Sequence, residues 1–170
     1  MTSTHPDLDK LKNTWNIFYN KTKQLNLPYK ISFTGGEVTA NKSFLPLLEF
    51  LQVQKTQIYQ IIVSTNGSAS VNYYKKLSRL VSAISFSIHS EFFNEKEFFE
   101  KVLIINQLMV LPEKSVHVNI MNEFWNENKI ELYKNFLEEH QISYSINKID
   151  YSLQTRDFPI MQGVYNFDQI

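Results

Sequence analysis

The chain has 170 residues, 43% of them hydrophobic, which suits one folded domain with a real core and excludes a disordered segment. Lys+Arg and Asp+Glu number 17 each, and this formal charge of zero argues against a nucleic-acid partner or an anionic lipid surface, both of which reward a basic excess. Cysteine is absent, which excludes disulfides and any thiolate-held metal within these residues, and with neither an apolar signal region nor an apolar run of ~20 residues a cytoplasmic protein is expected.

Read in order, the chain opens on a predicted helix over 6–25, with Pro6 suited to a first turn. A β-rich run at 31–33 follows. The next helix is predicted over 42–53, where Phe44, Leu45, Leu48 and Leu51 recur at helical spacing. Residues 61–63, Ile-Ile-Val, read as a strand, and the absence of alternation suggests cover on both faces. A weaker helix after Ser70 carries Tyr73, Tyr74, Leu77 and Leu80, and a strand at 84–86 follows. The helix over 95–110 has Phe98, Phe99, Val102, Leu103 and Ile105 on its apolar side, with Asn94 and Glu97 as a variant capping box. A strand at 116–118, a helix over 126–140 with Ile130, Tyr133 and Leu137, and a strand at 143–146 complete the pattern. Strict alternation of this kind implies α/β architecture with parallel strands and right-handed crossovers. About five strands are too few for an eight-stranded barrel, so the expectation is an open parallel sheet or partial (β/α) barrel. Nothing marks an internal boundary, so residues 1–170 read as one domain, with 151–170 a tail of no readable pattern.

In parallel α/β sheets ligands sit at the carboxyl ends of the strands. The first strand runs into Thr34-Gly35-Gly36-Glu37, the second into Thr65-Asn66-Gly67, the third into Ser87-Ile88-His89, and the fourth into Asn119 and Asn122. Each segment admits two readings. Gly35 and Gly36 with Glu37 make either a tight strand-to-helix turn or a backbone that approaches a ligand closely beside a carboxylate able to bind an ammonium group. Thr65-Asn66-Gly67 is either an ordinary turn or part of that site. His89 is a structural histidine or a ligand-facing one, and Asn122 starts a loop or caps a helix. His117 should point the same way as Asn119, by the two-residue strand period, and reads as a core or outer-face residue. Only four glycines occur in the chain, and three of them, Gly35, Gly36 and Gly67, lie in these strand-end segments, which favours the ligand reading.

Taken together and in this order, the segments resemble the radical SAM superfamily. Gly35-Gly36-Glu37, in the phrase Ile31-Ser32-Phe33-Thr34-Gly35-Gly36-Glu37-Val38-Thr39, is similar to the Gly-Gly-Glu motif ending the family's second strand. Thr65-Asn66-Gly67 resembles the third-strand ending, Ser87-Ile88-His89 the fourth, and Val118-Asn119 the fifth. The resemblance spans about residues 5 to 147. It implies a six-stranded partial barrel and contacts to S-adenosylmethionine (SAM) from Gly35, Gly36, Glu37, Thr65, Asn66, Ser87, His89 and Asn119. It also implies a 4Fe–4S cluster on a C-x-x-x-C-x-x-C loop after a first strand. Here no cysteine exists, and the four histidines, His5, His89, His117 and His140, are scattered over different elements. The chain reads as if it began just after that loop.

Two functions follow. The first is a truncated or split radical SAM enzyme, unable to cleave SAM reductively alone, whose cluster loop either comes from another polypeptide or is lost through an internal start at Met1. The second is a catalytically inactive module that binds SAM or a protein partner, such as one covering the strand at 31–33. A third reading, a phosphate at the Thr34-Gly35-Gly36 turn, lacks the Gly-Lys-Ser/Thr or G-x-G-x-x-G signature.

Overall fold

The computed structural model describes residues 5–53, 57–88, 94–122 and 127–148. Five strands, β1 (Tyr29–Phe33), β2 (Ile58–Thr65), β3 (Ala83–Ile88), β4 (Ser115–Asn122) and β5 (Ser143–Lys148), alternate with five helices. These are α1 (Leu8–Thr22), α2 (Phe44–Val53), α3 (Val71–Leu80), α4 (Glu95–Leu108) and α5 (Glu127–Glu139). The strands form one sheet in the order β1-β2-β3-β4-β5, and every neighbouring pair is parallel. The protein is thus an α/β fold with the strand order of a partial (β/α) barrel.

Polar side chains mark where the helices start. Asp7 accepts the Lys10 N–H at 2.8 Å, Ser70 the Tyr73 N–H at 3.2 Å, and Asn94 the Glu97 N–H at 3.3 Å. Successive helices touch one another, and Phe99 of α4 meets Phe136 of α5 with ring centroids 4.6 Å apart, so the helices form one continuous layer. Apart from Thr65, the strand residues buried against that layer are apolar: Val63, Ile84, Phe86, Val118 and Ile120 are fully buried there, with Leu48, Tyr74, Leu77, Val102, Ile105 and Leu137 coming from the helices.

The opposite face differs from the expectation for β2. Of the Ile-Ile-Val run, Ile61 and Val63 face the helices and are buried, but Ile62 is only half-buried. Ile62 is in register with Ser32 and Ala83, and the same face continues with small polar groups: Ser64 opposite Ser85, Ser85 opposite His117, and Asn119 between Ser87 and Ser145. A singly wound sheet carries its helices on one side only, so one face is packed and the other is free to take polar side chains.

Several boundaries also moved, and β3 runs through Ile88, so Ser87 lies inside that strand and not after it. The first helix ends as an α-helix at Thr22 and tightens into a 3-10 turn at Lys23–Leu25. Strand β4 continues through Asn122, so Asn119 lies inside the strand and not after it. β1 is a sheet edge among the described residues. Pro28 precedes it, Lys30 is exposed on it, and its register with β2 shifts between Tyr29 and Lys30, features that discourage uncontrolled edge pairing. No described helix is long and apolar enough to cross a membrane.

Candidate functional site

The turn after β1 uses its glycines for backbone shape. Gly35 has φ +87° and Gly36 φ +45°, a region that side chains with a Cβ rarely adopt. A Cβ built on either would meet nothing within 4 Å, so the turn borders open space. A cavity of about 450 Å³ opens there, with Gly35, Gly36 and Glu37 at its polar edge and Phe33, Phe44 and Leu47 among its apolar lining.

Glu37 is the hub of the site. It caps a 3-10 turn, Val38–Ala40, and its Oε1 accepts from the Thr39 N–H at 2.9 Å, the Thr39 hydroxyl at 2.5 Å and the Thr65 hydroxyl at 2.9 Å. Its Oε2 accepts the Asn66 N–H at 2.8 Å. One carboxylate therefore joins the segment after β1 to the end of β2. A carboxylate offers about four acceptor positions, two on each oxygen. Oε1 is fully used, whereas Oε2 takes one bond and keeps capacity for a ligand donor.

Thr65 is the last residue of β2 and is buried at 3% exposure, on the helix side. Its hydroxyl lies 2.9 Å from Glu37 and 2.7 Å from the Tyr74 hydroxyl, and it receives the Gly67 N–H at 3.2 Å. Burial pushes the Tyr74 hydroxyl above the usual phenol range, so it resists ionisation, with its hydrogen bond to Thr65 opposing. The neighbouring Tyr73 is pushed up to about 12, first by burial and then by the nearby Tyr74 and Glu37. Asn66 is exposed, and its Oδ1 takes the Ser68 N–H at 2.9 Å. The Asn66 Nδ2 meets no partner among the described residues and is free to donate.

Asn119 belongs to a second network on the helix-free face. Its Nδ2 donates to the Ser85 hydroxyl at 2.7 Å, and its Oδ1 accepts from Ser145 at 2.8 Å and Asn147 at 3.2 Å. His117 shares that face, as the strand period requires, with its ring nitrogens 3.0 Å from Ser143 Oγ and 3.1 Å from Ser145 Oγ. Burial lowers the proton affinity of His117, and the nearby Asn119 partly opposes this. Ser87 is half-buried on β3 in register with Asn119. His89 lies outside the described residues.

Seven of the eight sequence-derived positions, all but His89, thus fall into two groups. Gly35, Gly36, Glu37, Thr65 and Asn66 converge at the ends of β1 and β2. Asn119, with Ser87 beside it in register, sits deeper on the helix-free face, and the Asn119 amide is largely consumed by Ser85, Ser145 and Asn147. Residues that the sequence did not single out complete both groups: Thr39 and Tyr74 around Glu37, and Ser85, Ser145 and Asn147 around Asn119. The second set had a readable signal, since Ser85/Ser87, His117/Asn119 and Ser143/Ser145/Asn147 each recur with period two. Among the described residues no group of three His, Cys, Asp or Glu side chains could hold a metal ion. No protein-family model matches the chain, and no curated protein matches it.

Proposed function

We propose that the segments ending β1 and β2 form a SAM-binding site in a radical SAM-like domain whose residues supply no cluster thiolate and so cannot cleave SAM reductively by themselves. The observation that carries this reading is the Glu37 carboxylate, which binds the two strand ends together while Oε2 retains an acceptor position beside the open Gly35–Gly36 turn. An ammonium group on a ligand matches that acceptor, and the unpaired Asn66 amide matches a carboxylate or hydroxyl on the same ligand.

The cluster does not fit. A 4Fe–4S centre is held by thiolates, and this sequence has none. The reductive step therefore requires three cysteines from another polypeptide segment.

The second reading, a catalytically inactive module that binds SAM or a protein, is favoured by the same lack of thiolates. A partner covering β1 belongs to this reading and would have to pair alongside the exposed Lys30.

Calorimetric titration with SAM tests the proposal, using Gly36→Asn as the control. Asn tolerates positive φ, so the fold should persist while the new side chain fills the open space. The expected result is saturable heat from the natural chain and at least tenfold weaker binding by the variant at an unchanged urea midpoint. Absence of heat from the natural chain would leave only the protein-interaction reading. Anaerobic reconstitution with iron and sulfide should give no cluster absorbance from this chain alone; a retained cluster would overturn the assignment.

A further inference from the structure

We infer that Lys101, a buried cation on α4, is a positioning residue that fixes the ligand-facing geometry of the segment after β2. Its functional meaning rests on the SAM reading above; its structural effect does not. Lys101 is 3% exposed, yet an ammonium has three N–H donors and needs a partner for each when taken out of water. One donor goes to the Gly67 carbonyl at 2.5 Å. Glu97 Oε1 lies 3.7 Å away, and the Tyr74 ring centroid 5.7 Å away. The Glu97 side chain is 67% exposed, so water weakens that pairing. The Gly67 carbonyl is buried and close, and it is the contact that gives this cation a reason to be inside.

The same helix touches Gly67 a second time. Gly67 has φ +79°, and a Cβ there would lie 2.9 Å from Phe98 Cε2. Phe98 and Lys101 stand three residues apart on one side of α4. The ring closes on the Gly67 Cα while the ammonium holds its carbonyl. From the opposite direction, Glu37 takes the N–H of the preceding residue, Asn66, at 2.8 Å. The Asn66–Gly67 pair is therefore strung between a carboxylate on its amide side and an ammonium on its carbonyl side, each aligned with the peptide dipole it meets. What this arrangement aims is the Asn66 side chain, whose Oδ1 is spent on Ser68 and whose Nδ2 is left for a ligand. An apolar side chain of similar length at 101 would fill the space but would release the carbonyl.

The test is amide hydrogen exchange in Lys101→Met without ligand, followed by SAM titration. The reporters are the amides of Asn66, Gly67 and Ser68, whose acceptors are Glu37, Thr65 and Asn66 itself. Exchange at these three should rise about tenfold or more, the factor that losing a hydrogen bond to a charged group implies, while β3 and α3 amides keep their protection. SAM affinity should fall alongside. A uniform rise across the domain would mean that Lys101 serves stability alone, and unchanged exchange at all three would refute the inference. Should Lys101→Met fail to fold, Lys101→Gln, with a shorter donor, is expected to show the same local rise. If the natural chain binds no SAM, the SAM reading fails, and the exchange result still decides the role of Lys101.

Discussion

Replacing Gly67 by alanine separates two uses of glycine in the strand-end segments. At φ +79° a Cβ costs about 1–2 kcal/mol of backbone strain. At Gly67 the added methyl would also lie 2.9 and 3.0 Å from two atoms of the Phe98 ring. That ring cannot swing away freely, because Phe98 is 4% exposed and packed against Phe86 and Phe99, with ring centroids 5.9 and 5.5 Å away. Overpacking of this kind costs a further 1–3 kcal/mol or so. The expected loss for Gly67→Ala is therefore about 2–5 kcal/mol, a large share of the roughly 5–15 kcal/mol that holds a domain folded. Gly35→Ala and Gly36→Ala meet open space and should lose only the strain of about 1–2 kcal/mol each. Equilibrium urea unfolding of the three variants reads the difference directly, since the midpoint shifts by the loss divided by a slope of about 1–3 kcal/mol per molar. Equal midpoints for Gly67→Ala and Gly36→Ala would refute the packing argument.

Two further expectations come from the polar groups around the networks. The Tyr73 hydroxyl is buried without a hydrogen-bond partner among the described residues, so Tyr73→Phe should leave stability unchanged or raise it by about 1 kcal/mol in urea unfolding; a clear loss would reveal a partner for that hydroxyl. His117 has its folded-state proton affinity lowered by burial, so the unfolded chain binds the proton more readily. Stability should therefore fall as pH drops below the unfolded value of about 6.5 towards the lower folded one. His117→Gln should flatten that part of the pH profile, and an imidazole titration by NMR giving a value above 6.5 in the folded protein would contradict the burial argument.

The alternation of elements was readable because each crossover helix must turn an apolar stripe towards the sheet, and residues such as Leu48, Leu77 and Val102 mark those stripes. Strand lengths were harder. The run Val116–Val118 marks only the first half of β4, because the strand continues through Asn119 to Asn122, whose polar character looks like loop in a linear reading. The error shifted Asn119 from a strand end to the middle of the helix-free face. Thr65 had the opposite problem: its neighbours Asn66 and Gly67 read as a turn, but its side chain points towards the helices, where Glu37 and Tyr74 bind it. The joining role of Glu37 was invisible, since it depends on donors 28 and 29 residues away. Lys101 carries no signal in a linear reading, because its role depends on the Gly67 carbonyl 34 residues away.

The proposed function requires the Gly35–Gly36 turn and Asn66 to receive SAM. An NMR titration of the isotopically labelled chain with SAM tests it most directly. Saturable shifts at the amides of Gly35, Gly36 and Asn66 and at the Asn66 side-chain NH2, with the α5 amides unmoved, are expected. No shift at these positions at saturating SAM, or shifts only elsewhere, would contradict it.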